Sequence, residues 1–217
     1  EIEVKQNLSE VKDVRLYQNS KLVKALPNQG NSKFLFDAVL STSFGEENFF
    51  YATATSHSGI EAEKVKFTVN YKGATSEKPN LYLITIGINN YKNPKYNLNY
   101  AQADADAVEK SIKGSSASLF KEVFSYSIRN DKAIKTNILK SFDEIKRKSL
   151  EQDVLFVYYA GHGVMSEGTL KAREFFIIPY DVTQLYGKDD LLFEKAISAE
   201  EIKGYAQNIN AQKQVFI

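Results

Sequence analysis

DVLFVYYAGHG, residues 153–163, is the stretch on which the reading of the fold turns. Val154 to Tyr159 are apolar or aromatic without interruption, the pattern of a strand covered by helices on both faces of a parallel sheet. The run stops at His162, held between Gly161 and Gly163. In open α/β sheets the functional crevice lies past the carboxyl ends of the strands, so a histidine at this position is presented rather than buried.

Working upstream, Leu81 to Ile88 (LYLITIGI) repeats the buried-strand pattern, and the loop NNYKNPKYN follows it. Ala101, Ala105, Val108 and Ile112 then share one helical face, with Gly114 expected to end the helix. Val123 to Ile128 reads as another strand, and Ile134, Ile138, Phe142 and Ile145 as the inner stripe of a second amphipathic helix. Downstream of Gly163 come a polar loop or hairpin tip (VMSEGTLKARE), a short strand from Phe175 to Ile178 closed by Pro179, and a long surface connection from Asp181 to Lys195. Ser198 and Glu201 stand at the spacing of a capping box for a third helix, whose inner face is Ile202, Tyr205, Ala206 and Ile209. Gln214 to Ile217 opens one more strand. Strands alternating with helices imply a three-layer α/β/α domain with a mostly parallel sheet over residues 81–217.

Residues 1–73 have a different character. An early hairpin is expected around Asn19, and alternating strands over Phe34–Leu40, Asn48–Thr55 and Val65–Tyr71, with turns at Gly45 and Ser58-Gly59. This is the pattern of a small all-β sandwich, immunoglobulin-like or fibronectin-like in spacing. His57 falls in the turn-like TSHSGIE and reads as a solvated loop residue. Residues 74–80, small, polar and proline-containing, read as a linker.

Composition narrows the classes of function. Lys+Arg of 28 against Asp+Glu of 27 leaves a net charge of +1, so no global field argues for nucleic acid or an anionic membrane surface. No run approaches the roughly 18 apolar residues of a membrane span, and the first residues carry no secretory apolar core. Localisation is left open, with cytoplasm as the default. Cysteine is absent, which removes disulfides and thiolate chemistry from within these residues. No nucleophile elbow, phosphate-binding glycine loop or histidine-rich metal cluster is present. Asp181, Asp189 and Asp190 are the candidates for binding calcium, but they lack the regular ligand spacing of a calcium loop and read as surface charge, so no cofactor is assigned and calcium stays as the alternative.

LITIGINNYKNPKYNLNYAQADADAV, DVLFVYYAGHG, FFIIPYD and KQVFI together resemble the caspase-like cysteine proteases, closer to metacaspases and bacterial caspase homologues than to animal caspases. The resemblance covers about Leu81 to Ile217. It implies that His162 is the acid/base of a Cys-His dyad and that Gly163 offers its N–H to the oxyanion. A thiol attacks a carbonyl well only as thiolate, and an imidazole both favours that form and protonates the leaving amine. The flanking glycines are expected to leave room for substrate backbone beside the ring. In the family the strand corresponding to KQVFI continues into an Asp-x-Cys turn, so the nucleophile is expected beyond Ile217 and the chain reads as a fragment whose partner is the rest of its own protease domain; the alternatives are that the rest is a separate chain or that the natural protein lacks the Cys.

Asp104 is the remaining site candidate. At about 100° per residue it lies about 60° from Ala101, at the border of the apolar stripe, while Asp106 lies about 140° away, so Asp104 is expected to face inward. By the resemblance it stands where metacaspase-like enzymes carry an acidic residue of the S1 pocket, implying cleavage of peptide or protein substrates after Arg or Lys. As residues alone, both carboxylates also suit a helix N-terminus and its dipole. Lys171 and Arg173 are self-cleavage points under that specificity, or solvated loop charges. A reading from another class keeps the fold as a non-catalytic interaction scaffold.

Overall fold

The computed structural model of the protein describes residues 1–40, 47–71, 78–116, 118–168 and 172–217. Gly45, most of the expected linker and Lys171 lie outside them. The chain divides into two compact units, Glu1–Glu77 and Lys78–Ile217. Among the described residues no helix is long and apolar enough to cross a membrane.

In the first unit β1 (Ile2–Glu3) pairs antiparallel with β4 (Lys33–Phe34). A separate four-stranded antiparallel sheet has the order β3-β2-β5-β6, built from β2 (Val11–Gln18), β3 (Lys21–Pro27), β5 (Glu47–Ser56) and β6 (Val65–Asn70). Asn19 and Ser20 close the β2–β3 hairpin with φ of 49° and 73°, the paired left-handed conformation whose twist matches antiparallel strands. One sheet face buries Val14, Leu16 and Ala52 against Ile2, Phe34 and Phe36. The strand expected over Phe34–Leu40 is corrected: only Lys33–Phe34 pairs, and of the positions expected inward Phe34, Phe36 and Leu40 are at least partly buried while Ala38 is exposed. Phe34 is buried, whereas Leu35 and Val39 are each 74% exposed.

In the second unit β7 (Leu81–Gly87), β8 (Val123–Arg129), β9 (Val154–Ala160) and β13 (Lys213–Phe216) form a parallel sheet in the order β13-β9-β7-β8. Central β7 is buried along its whole length. Tyr82, Ile84 and Ile86 stand beside Leu155, Val157 and Tyr159 in register, and this face packs on Ile138, Phe142 and Ile145 of α2 (Lys135–Lys148). The opposite face, with Leu83, Thr85 and Gly87, meets α1 (Ala101–Ser116). Gly87 is required there, because a Cβ would lie 2.7 Å from the Ala101 carbonyl and 2.9 Å from the Ala105 side chain. The result is the three-layer α/β/α arrangement implied by the sequence.

A small antiparallel sheet follows β9: β10 (Gly163–Met165), β11 (Phe175–Ile177) and β12 (Ile197–Ser198). Between β11 and β12 lies α3 (Asp189–Lys195), and α4 (Ala199–Asn208) leads into β13. Ser198 and Glu201 form the reciprocal capping box. Two readings change. Gly114 does not end α1, which continues to Ser116 through open space around the glycine. The span from Asp181 to Lys195 is not a surface connection: Val182, Leu185 and Leu192 are buried in the core.

Candidate active site

The carboxyl end of β9 delivers the chain to Gly161, His162 and Gly163, and three backbone contacts fix the histidine. Its N–H donates to the Tyr91 hydroxyl at 2.9 Å. Its carbonyl accepts from the Ile178 N–H at 3.0 Å and from the Tyr159 hydroxyl at 2.8 Å. The ring is half-buried, with the Tyr91 ring tilted 5.1 Å away and the Tyr96 ring edge-on at 6.1 Å.

Nε2 of His162 lies 2.9 Å from the Tyr96 carbonyl oxygen. A carbonyl only accepts, so Nε2 carries the proton and, in the neutral ring, Nδ1 carries the lone pair. Among the described residues Nδ1 has no hydrogen-bond partner. The arrangement therefore presents a basic nitrogen in a single tautomer, oriented by a neutral dipole.

Two phenols support it. Burial pushes the Tyr159 hydroxyl well above its ordinary value and raises that of Tyr91 as well, so both stay protonated at physiological pH. Tyr159 has one proton for two acceptors, the carbonyls of His162 and Ile178, and its oxygen receives the Ile178 N–H at 3.2 Å. A Cβ at Gly161 would collide with the Tyr159 hydroxyl and lie 2.8 Å from that of Tyr91. One at Gly163 would lie 2.5 Å from the Phe175 ring. The space beside the flanking glycines, expected to admit substrate backbone, is thus filled by the protein's own aromatic groups.

Gly163 stands opposite Ile177 in the β10–β11 register, between the bonded positions His162–Ile178 and Ser166–Glu174. Bonded and non-bonded pairs alternate in antiparallel ladders. Gly163 occupies a non-bonded position, so its N–H turns away from β11.

Asp104 lies in the first turn of α1, which begins past the carboxyl end of β7. Gly87, at that end, is the neighbour of Ala160 on β9, so both site candidates belong to the carboxyl edge of the sheet. No hydrogen bond joins Asp104 to His162, and its carboxylate has no ion pair among the described residues. The expected inward orientation is corrected: Asp104 is exposed, and it is Asp106 that reaches the sheet, pairing with Arg129 at 2.8 Å. The helix approaches the sheet along the Ala101, Ala105 and Glu109 line, which tilts Asp106 toward the β8 edge.

Of the other acidic residues, Asp181 is 3.7 Å from Lys195, Asp189 is buried and accepts the Glu167 N–H, and Asp190 is exposed. No group of three metal-ligating side chains occurs among the described residues. Arg173 is exposed. Sequence reasoning missed Tyr91, Tyr96 and Tyr159. The available signal was the asparagine-rich loop NNYKNPKYN, a composition suited to side chain-to-backbone bonding.

A family model described as Peptidase_C14, caspase domain, matches residues 82–203. No curated protein matches the chain. A crystal structure of a protein from Geobacter sulfurreducens is 14% identical, covers 64% of this chain and 48% of its own, and superposes with a TM-score of 0.49. A polysaccharide deacetylase from Bacillus cereus, also 14% identical, covers 68% of this chain and 52% of its own at a TM-score of 0.20. The chain spans about half the length of these structures.

Proposed function

The chain belongs to the Peptidase_C14 caspase-domain family, and we propose from that membership that its second unit is most of the catalytic domain of a cysteine endopeptidase working through a Cys-His dyad. The observation that carries the reading is the His162 imidazole, tied through Nε2 to the Tyr96 carbonyl with Nδ1 open. Nδ1 takes the thiol proton, and the thiolate sulfur attacks the scissile carbonyl carbon. The imidazolium then gives the proton to the leaving amine as the C–N bond breaks, and the resulting thioester is hydrolysed by water deprotonated at the same nitrogen. The Gly163 N–H stabilises the oxyanion, a role in which one donor contributes about 2.7–4 kcal/mol. Asp104, exposed at the same sheet edge, holds a substrate Arg or Lys. No cofactor enters this reaction.

The chain contains no cysteine, so the nucleophile is supplied by residues outside it. The β13–β9 register supports a position. Lys213 pairs with Val154 and Phe216 with Val157, so β13 runs parallel to the strand that delivers His162 and ends beside it. On this reading the rest of the domain continues past β13, an edge strand of the parallel sheet. There Val215, Phe216 and Ile217 are exposed, beside an apolar recess of 270 Å³ lined by Phe142, Ile202 and Phe216 among others.

The test is made on the whole protein with fluorogenic peptides ending in Arg, Lys or Asp. Cleavage after Arg and Lys is expected. His162→Ala is expected to lower kcat by about 10²–10⁴-fold, and full turnover in that variant overturns the dyad. Asp104→Asn is expected to raise KM for basic substrates about tenfold, the loss of about 1.4 kcal/mol. Equal or faster cleavage after Asp overturns the role of Asp104.

A further inference from the structure

Residues 88–100 link β7 to α1 and touch His162 twice, through the Tyr91 hydroxyl and the Tyr96 carbonyl. A connection that orients a reacting group has to be held still, because a displacement of about 1 Å at such a contact can cost about 10²-fold in rate. Here most of the restraint comes from side-chain amides.

Asn130 follows the end of β8 and adopts a left-handed φ of 44°, a conformation that asparagine tolerates better than most residues. Its Oδ1 accepts two successive backbone N–H groups, those of Asn89 at 2.9 Å and Asn90 at 3.1 Å. Its Nδ2 donates to Gln102 Oε1 at 2.7 Å. Asn89, so held, closes the loop: its carbonyl accepts the Leu98 N–H at 2.8 Å, and its side chain bonds the Gln102 N–H and the Asn99 carbonyl. Within the loop Asn97 Oδ1 accepts the Tyr91 N–H at 2.8 Å. A chain of bonds thus runs from Asn130 to the two groups that hold the imidazole.

We propose that Asn130 is a positioning residue for His162, clamping Asn89 and Asn90 so that the loop presents the Tyr91 hydroxyl and the Tyr96 carbonyl to the histidine. Its catalytic consequence rests on the reading of His162 as the base. The contact with the ring does not, and the two are separable by experiment. Asn130 touches neither substrate nor thiol. It acts by fixing where a carbonyl stands.

The chain has two histidines, His57 and His162, so ¹⁵N-histidine labelling with His57→Gln as the assignment control isolates the ring of interest. An imidazole N–H in free exchange with water gives no proton signal, whereas one held on a carbonyl does. In the wild-type chain at neutral pH the His162 Nε2–H signal is expected. Asn130→Gly keeps the left-handed backbone without strain and removes the amide, and it is expected to lose that signal while remaining folded. Asn130→Asp keeps the oxygen that accepts both N–H groups and gives up only the Nδ2–H bond to Gln102, and it is expected to retain the signal. In the whole peptidase Asn130→Gly is expected to lower kcat about 10–100-fold with KM within about twofold. Retention of the wild-type signal in folded Asn130→Gly, or equal loss in Asn130→Asp, overturns the proposal. So does rapid hydrogen exchange of the Asn89 and Asn90 amides in the wild-type chain, a measurement that needs no variant. A His162→Ala enzyme with full turnover would sink the base and leave the clamp standing.

Discussion

His162 is oriented by a backbone carbonyl and two neutral phenols, and this choice has consequences for each residue around it. A carboxylate orienter stabilises the imidazolium by charge, whereas the Tyr96 carbonyl fixes the tautomer without adding a charge to a half-buried pocket. The glycines flanking the histidine were legible as special in the sequence, but their reason was not. The groups that fill their side-chain space include Tyr91, 70 positions before Gly161, and nothing local announces such a partner. Gly161→Ala is expected to destabilise the protein by about 1–3 kcal/mol, since the new methyl must displace two buried hydroxyls. Gly204→Ala is the contrast: it sits inside α4 with open space around it, and is expected to stabilise by about 0.5–1 kcal/mol. Denaturant midpoints at unchanged slope measure both, and an unaffected Gly161→Ala midpoint would refute the close packing.

Among the elements, α1 is fastened to the sheet by a polar cluster rather than by its apolar stripe alone. Glu109, on the turn after Ala105, accepts from Thr85 on β7, from Ser125 and Ser127 on β8, and from Lys113 and Arg129. Burial pushes its carboxyl up, and the bonds from Lys113, Ser127, Ser125 and Thr85 more than offset this, bringing it down to about 2. A folded value below the unfolded 4.5 means stability that is fully present above about pH 4.5 and lost as pH falls through about 2. Glu109→Gln is therefore expected to cost on the order of 2 kcal/mol at pH 7 and almost nothing at pH 2, read from denaturant unfolding at the two pH values. A pH-independent difference would assign the cost to packing. The strands and the two long helices were legible by their periods, and α4 by its capping box. The Glu109 cluster was not, because Thr, Ser and Glu on facing elements read as solvated positions until the register aligns them. Likewise α3 is a single short helix without a full period, and Phe34–Leu40 alternates without a neighbour to pair.

At the scale of the whole molecule the change of pattern near residue 73 coincides with a change of core. The apolar clusters of the first unit draw on residues between Ile2 and Val69, and that of the second on residues between Tyr82 and Ala211. Cooperative unfolding follows a shared core, since removing buried contacts weakens the elements that used them. Two units with separate cores are therefore expected to lose protection separately. Leu16 is 5% exposed and Ile84 fully buried, so truncation of either to alanine should cost its own unit about 2–5 kcal/mol. Hydrogen exchange resolved along the chain distinguishes the outcomes. Leu16→Ala is expected to speed exchange in β2, β3 and β5 while β7, β9 and the Asn89 and Asn90 amides keep wild-type protection, and Ile84→Ala to do the reverse. If Leu16→Ala instead loosened the loop around His162, the two units would form one cooperative block. The orientation of the imidazole would then depend on the β unit as well as on the clamp at Asn130.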